Sequence, residues 1–187
     1  MKNEQKKNNR ISTSTMTMVA LMAAVLCVLA PFSIPIGPIP ISMATLGLYL
    51  TVIVLGGKKA IIVCLMYLLI GFVGVPVFSG FSGGPMKLIG PTGGYFFGYL
   101  LLTLIAGWFV DKFPKKRVMC LFGFILGTAA CYVVGTAWLA FQLKMNFASA
   151  LVVGVLPFLA GDVIKIAVAM WIGTLVRRQM NKAGYCM

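Results

Sequence analysis

Long stretches without charged residues dominate the chain. No Asp, Glu, Lys or Arg occurs in residues 11–57, 60–86, 88–110 or 118–143, and apolar side chains prevail in all four stretches. A helix that spans a bilayer needs about 20 predominantly apolar residues. The pattern therefore predicts an all-α membrane protein.

Prolines, glycines and basic residues divide these stretches into six predicted transmembrane helices in one bundle. Pro31 and Pro76 end helices, because proline lacks an amide hydrogen and restricts the backbone, and Pro157 opens the last helix. Glycines followed by lysines, as at residues 56–59, are typical of a helix end at the membrane edge. The predicted helices cover residues 15–31, 41–55, 60–75, 95–110, 118–141 and 157–176. The apolar run at residues 147–155 is too short to span, and we predict an interfacial or re-entrant helix there.

The positions of Lys and Arg predict that both termini are cytoplasmic. With six spans and an inner N-terminus, only Lys87 and Lys144 fall outside, and Lys165 falls within the last helix. All other basic residues then lie on the cytoplasmic side, where membrane proteins carry an excess of Lys and Arg. We therefore expect a cytoplasmic basic tail at residues 1–14, a six-helix transmembrane domain at 15–178 and a cytoplasmic tail at 179–187.

Composition narrows the functional classes. The net charge of +13 would suggest nucleic-acid binding in a soluble protein, but these basic residues lie between apolar segments, a pattern typical of membrane topology. There is no histidine, and the five cysteines form no CxxC pair. The sequence also lacks a GxxxxGK[ST] phosphate loop and an HExxH motif. It therefore indicates no disulfide framework, no metal, no cofactor and no enzyme, and an ATP-driven transporter would need ATPases from other chains.

Asp162 is the only acidic residue within an apolar segment, and Lys165 follows it by three residues. This spacing places both side chains on one face of a helix. Charges inside a membrane are costly, and they normally face the bundle interior or a wet cavity, where they are usually functional. The pair is thus a candidate ligand site, with a structural ion pair as the alternative.

The loop before the fourth predicted helix is a second candidate, with the sequence Gly90-Pro91-Thr92-Gly93-Gly94-Tyr95. Thr92, Gly93 and Gly94 would offer unpaired amides and the positive end of a helix dipole to an anion. The predicted topology places the loop on the same outer side as Asp162 and Lys165. The alternative is a tight helix entry with close packing.

Small residues at four-residue spacing recur in the predicted helices and permit close helix contact. Most such pairs are expected to serve internal packing. The pairs are Ala20 and Ala24, Gly94 and Gly98, Gly123 and Gly127, and Ala169 and Gly173.

Four segments together resemble the BioY proteins, the biotin-specific substrate-binding components of energy-coupling-factor transporters. The pairing of GPTGGY with a late PFxxGDxxK is specific, and the resemblance covers nearly the whole chain. Ala44 and Phe96 depart from family members in which a Gln and a basic residue stand at these places. The four segments are residues 34–41, 71–78, 90–95 and 156–165.

The resemblance implies that Asp162 and Lys165 meet the ureido ring of biotin, and that the loop with Thr92 to Tyr95 covers the ligand. From charge and position we expect the valeryl carboxylate to lie near Thr92-Gly93-Gly94, assisted by Lys87. The family's AxxxA signature on the first helix matches Ala20 and Ala24, and neighbouring Ala23 is expected to widen the smooth strip that they form. It implies docking onto a transmembrane coupling subunit.

The resemblance thus implies high-affinity biotin capture in the cell membrane of a prokaryote, by a six-helix substrate-binding domain at residues 15–178, with a coupling subunit and two ATP-binding subunits as partners. The rival hypotheses are an ion-coupled secondary transporter that uses Asp162, and a membrane scaffold without a small ligand.

Overall fold

A computed structural model describes residues 13–35, 39–114 and 116–182 of the chain. Predictions that concern residues 1–12, Ile36-Gly37-Pro38, Lys115 or residues 183–187, Cys186 among them, lie outside the described residues. The described elements, in chain order, are α1 (Thr13–Leu29), β1 (Ser33–Ile34), β2 (Ile41–Ser42), α2 (Ala44–Leu55), α3 (Gly57–Phe72), α4 (Pro85–Ile89), α5 (Gly93–Lys112), α6 (Arg117–Leu143), α7 (Phe147–Gly154) and α8 (Leu156–Lys182).

Each stretch predicted to span the membrane contains a helix, although residues 41–42 form a strand and residues 73–75 lie beyond the end of α3. The protein is a helical membrane protein. The six predicted helices correspond to α1, α2, α3, α5, α6 and α8, and the short predicted helix corresponds to α7. Within the described residues, α5, α6 and α8 are long and apolar enough to cross a membrane. The last helix continues to Lys182 instead of ending near Val176, because residues 177–182 contain no proline or glycine.

The proline-rich connection after α1 contains a short hairpin that the sequence did not predict. Ser33 pairs with Ser42 and Ile34 with Ile41 in antiparallel register. The second strand ends directly before α2, so the hairpin holds the start of α2 in place. It also brings the backbone carbonyl of Ser42 to the side of α8.

Glycines let the central helices approach closely. A Cβ on Gly98 of α5 would lie 2.6 Å from the sulfur of Cys131 in α6. A Cβ on Gly127 of α6 would lie 3.0 Å from the carbonyl oxygen of Leu102 in α5. These contacts confirm internal packing as the role of the small residues in α5 and α6.

Candidate functional site

The Asp162–Lys165 pair lies in the interior of the bundle. Lys165 Nζ is 3.1 Å from Asp162 Oδ1, and the residues are 9% and 4% exposed. Among the described residues this is the only salt bridge. A buried pair requires further hydrogen bonds to offset the cost of removing both charges from water.

Three other elements supply those hydrogen bonds. The Thr45 hydroxyl, in the first turn of α2, donates to Asp162 Oδ1 at 3.0 Å and accepts from Lys165 Nζ at 3.1 Å. The Tyr132 hydroxyl of α6 donates to Asp162 Oδ2 at 2.6 Å, and Lys165 Nζ donates to the Ser42 carbonyl at 2.8 Å. Lys165 therefore uses three donors on protein acceptors, whereas Asp162 retains acceptor capacity.

The pair forms one wall of a pocket, here called the Asp162 pocket. Apolar and aromatic side chains make most of the other walls, and a few polar groups converge on the space, as is usual for small-molecule sites. The lining residues are Ile39, Pro40, Ser42, Thr45, Ser79, Thr92, Tyr95, Phe96, Tyr99, Leu102, Thr128, Cys131, Tyr132, Phe158, Asp162 and Lys165.

Two of the predicted loop residues, Thr92 and Tyr95, line the Asp162 pocket. Thr92 is buried, and its hydroxyl donates to the Lys87 carbonyl at 3.3 Å. Tyr95 reaches across to α7, where its hydroxyl donates to the Gly154 carbonyl at 2.9 Å. The loop and the charged pair thus meet at one pocket, which the predicted topology allows.

Gly93 and Gly94 are placed differently from the prediction. The Gly93 amide was predicted to be unpaired, but it donates to the Gly90 carbonyl at 2.9 Å. A Cβ on Gly93 would lie 1.9 Å from the Leu88 carbonyl oxygen, and one on Gly94 would lie 2.2 Å from Cβ of Trp138. Both glycines allow close packing at the start of α5, and neither lines the pocket. Lys87, on α4, is partly buried and also lies outside the pocket lining.

A model of the BioY family matches residues 2–182. The chain belongs to the BioY family.

Relatives and a solved structure agree with the BioY assignment. The "Biotin transporter BioY2" of Lactococcus lactis subsp. cremoris is 34% identical over 89% of this chain and 92% of its own length. The "Probable biotin transporter BioY" of Pyrococcus horikoshii is 37% identical over 82% of this chain and 90% of its own. A crystal structure described as the S-component for biotin from an ECF-type ABC transporter superposes with a TM-score of 0.80 and 31% identity, and covers 97% of this chain and 95% of that one.

The sequence did not predict the hydroxyl partners of the charged pair in this BioY chain, Thr45 and Tyr132. Hydroxyls within apolar helices need partners, because lipid offers none. The need for a partner does not identify Thr45 or Tyr132, because other buried hydroxyls find an acceptor within their own helix. Thr51 donates to the Gly47 carbonyl and Thr103 to the Tyr99 carbonyl.

Ala20 and Ala24 form a shallow strip on the outer face of α1. Both are exposed, whereas Ala23 is 3% exposed and packs inside the bundle. The expectation that Ala23 widens the strip is therefore wrong, because its side chain is buried against the rest of the bundle. In this BioY chain the strip is bordered by large exposed side chains, including Met16, Leu21 and Val28.

Proposed function

We propose that this chain captures biotin from outside the cell as the substrate-binding component of an ATP-driven uptake transporter, and that it is not an enzyme. The observation that carries the proposal is the buried Asp162–Lys165 pair in the wall of a largely apolar pocket. Biotin is proposed as the ligand because the BioY relatives and the solved S-component are named for it.

The pair suits the ureido ring of biotin. A carboxylate accepts a hydrogen bond from a ureido N–H group, and an ammonium donates one to the ureido oxygen. The Asp162 oxygens have capacity for such a bond, while Lys165 exchanges one protein acceptor for the ligand oxygen. The two charges neutralise each other, so the site fits an uncharged ring. Thr45 and Tyr132 hold the carboxylate in position.

The remainder of the ligand would follow the pocket towards the start of α5. The aromatic rings of Tyr95, Phe96 and Phe158 offer apolar contact for the sulfur-containing ring and the valeryl chain. The valeryl carboxylate would lie near Thr92, Gly93 and Gly94, where the helix dipole favours negative charge. Lys87, on the adjacent α4, would add a positive charge there.

The proposed topology has six transmembrane helices with both termini in the cytoplasm of a prokaryote. It consists of a basic tail at 1–14, a substrate-binding domain at 15–178 and a tail at 179–187. The excess of Lys and Arg at one end of the bundle supports this orientation. The Asp162 pocket then faces outward, where biotin arrives.

The proposed partners are a transmembrane coupling subunit and two ATP-binding subunits from other chains. Ala20 and Ala24 would receive a helix of the coupling subunit. Both side chains are small and exposed, which permits close helix approach in a membrane.

Equilibrium binding of labelled biotin to the detergent-purified chain tests the proposal. We expect saturable binding that unlabelled biotin displaces, with folding checked by thermal unfolding. No saturable binding by folded protein would overturn the assignment. Uptake in cells should depend on ATP and not on a proton gradient, which distinguishes the ion-coupled alternative.

A further inference from the structure

A second cavity, here called the arginine cavity, lies at the other end of the bundle from the Asp162 pocket. On α8 it begins beyond Lys165, and on α2 it lies at Ile53, near the helix end opposite to Thr45. The helices that enclose it are α2, α5, α6 and α8. Its lining residues are Ile53, Val110, Pro114, Arg117, Cys120, Phe124, Met170, Thr174, Arg177 and Arg178.

The arginine cavity is positively charged and has no acidic residue in its lining. None of its three arginines forms a salt bridge with any residue that the structure describes. Arg177 is held in place, because its Nη1 donates to the Ile53 carbonyl at 3.2 Å. Arg117 is the first residue of α6, so the positive end of that helix dipole adds to the field. Three guanidinium groups around one space favour an anion there.

A groove continues from the cavity onto the outside of the bundle. It shares Arg117, Met170, Thr174 and Arg178 with the cavity, and Trp171 and Leu175 extend it. Trp171 is 70% exposed and Leu175 is 46% exposed. The combined surface therefore has a cationic end and an apolar end, which matches an amphiphilic anion better than a small soluble one.

We propose that the arginine cavity binds the phosphate headgroup of an anionic phospholipid, with an acyl chain along the groove of Trp171 and Leu175. Arginine matches phosphate because its planar fork donates two parallel hydrogen bonds. Basic pockets between transmembrane helices on the cytoplasmic side bind such headgroups. The assignment to the inner leaflet rests on the proposed topology, whereas binding itself is independent of the proposed biotin function.

The test compares two charge-matched double variants of the purified full chain. Arg117→Gln with Arg178→Gln removes two exposed cavity arginines and keeps Arg177 with its bond to Ile53. Lys58→Gln with Lys59→Gln removes the same charge from the start of α3, outside the cavity. Native mass spectrometry measures the binding of phosphatidylglycerol and phosphatidylcholine, and thermal unfolding is followed with each lipid and with inorganic phosphate.

We expect wild type and the lysine variant to bind phosphatidylglycerol in preference to phosphatidylcholine, and the arginine variant to bind it about 30-fold more weakly. Equal binding by all three proteins would overturn the proposal. The arginines would then be assigned to contact with an acidic surface of a partner protein. Equal stabilisation by inorganic phosphate would overturn the lipid as occupant. If the arginine double variant does not fold, Arg178→Gln alone is compared with Lys58→Gln. Biotin binding, measured in the same preparations, reports separately on the proposed transport function.

Discussion

The Tyr132 hydroxyl donates a 2.6 Å hydrogen bond to Oδ2 of Asp162, and so joins α6 to α8 at the charged pair. Oδ1 of the same carboxylate is occupied by Lys165 and Thr45. Tyr132 is thus the contact that orients the second carboxylate oxygen. The proposed ureido interaction depends on that orientation.

Tyr132→Phe should weaken biotin binding about tenfold or more, because a hydrogen bond to a charged group contributes about 1.5–3 kcal/mol. Titration with labelled biotin measures the change. Tyr67→Phe is the matched control, since the buried Tyr67 hydroxyl has no partner among the described residues and lies outside the pocket lining. The same loss in both variants would contradict a specific role for Tyr132.

Asp162→Asn and Lys165→Met should each be destabilising, because breaking a buried pair costs about 3–5 kcal/mol. The double variant removes both charges, so it should recover much of the stability but not the biotin affinity. Thermal unfolding and biotin titration of wild type, both single variants and the double variant measure the two effects. If the double variant regained near-wild-type affinity, the pair would have only a structural role.

Biotin amide should bind more weakly than biotin if the valeryl carboxylate lies at the start of α5. Lys87→Met should then reduce the difference between the two ligands, because it removes the proposed cation. Lys144→Met, at the other lysine on the predicted outer side, serves as the control and should leave the difference unchanged. Equal affinity of wild type for both ligands would place the carboxylate in solvent.

Replacement of Ala20 and Ala24 by Leu should spare biotin binding by the isolated chain and abolish uptake, because bulky side chains prevent close approach of a partner helix. Binding to purified protein and uptake in cells with the full transporter are measured together. Ala137→Leu with Ala167→Leu adds the same bulk at exposed positions of α6 and α8, and uptake should persist. Loss of biotin binding in the α1 variant would show that its alanines support the pocket instead.

The sequence by itself determined where the long helices lie, although α4 formed where no helix was predicted. Uncharged apolar runs bounded by Pro31, by Gly56 and Gly57, and by the basic connector before α6 coincide with the observed helices. Apolar runs and helix breakers act locally, so they can be read along the chain. The shared face of Asp162 and Lys165 is a local feature of the same kind, because residues three positions apart on one helix share a face.

Tertiary structure decided what surrounds the pair and what the glycines do. Thr45 lies 117 residues before Asp162, and Tyr132 lies 30 residues before it on a different helix. Gly93 was expected to offer a free amide, yet that amide bonds to the Gly90 carbonyl, and Gly93 and Gly94 also accommodate the close approach of Leu88 and Trp138. These contacts depend on how each helix is rotated and packed against its neighbours. The balance of packing over the whole bundle sets that rotation, and no local pattern in the sequence encodes it.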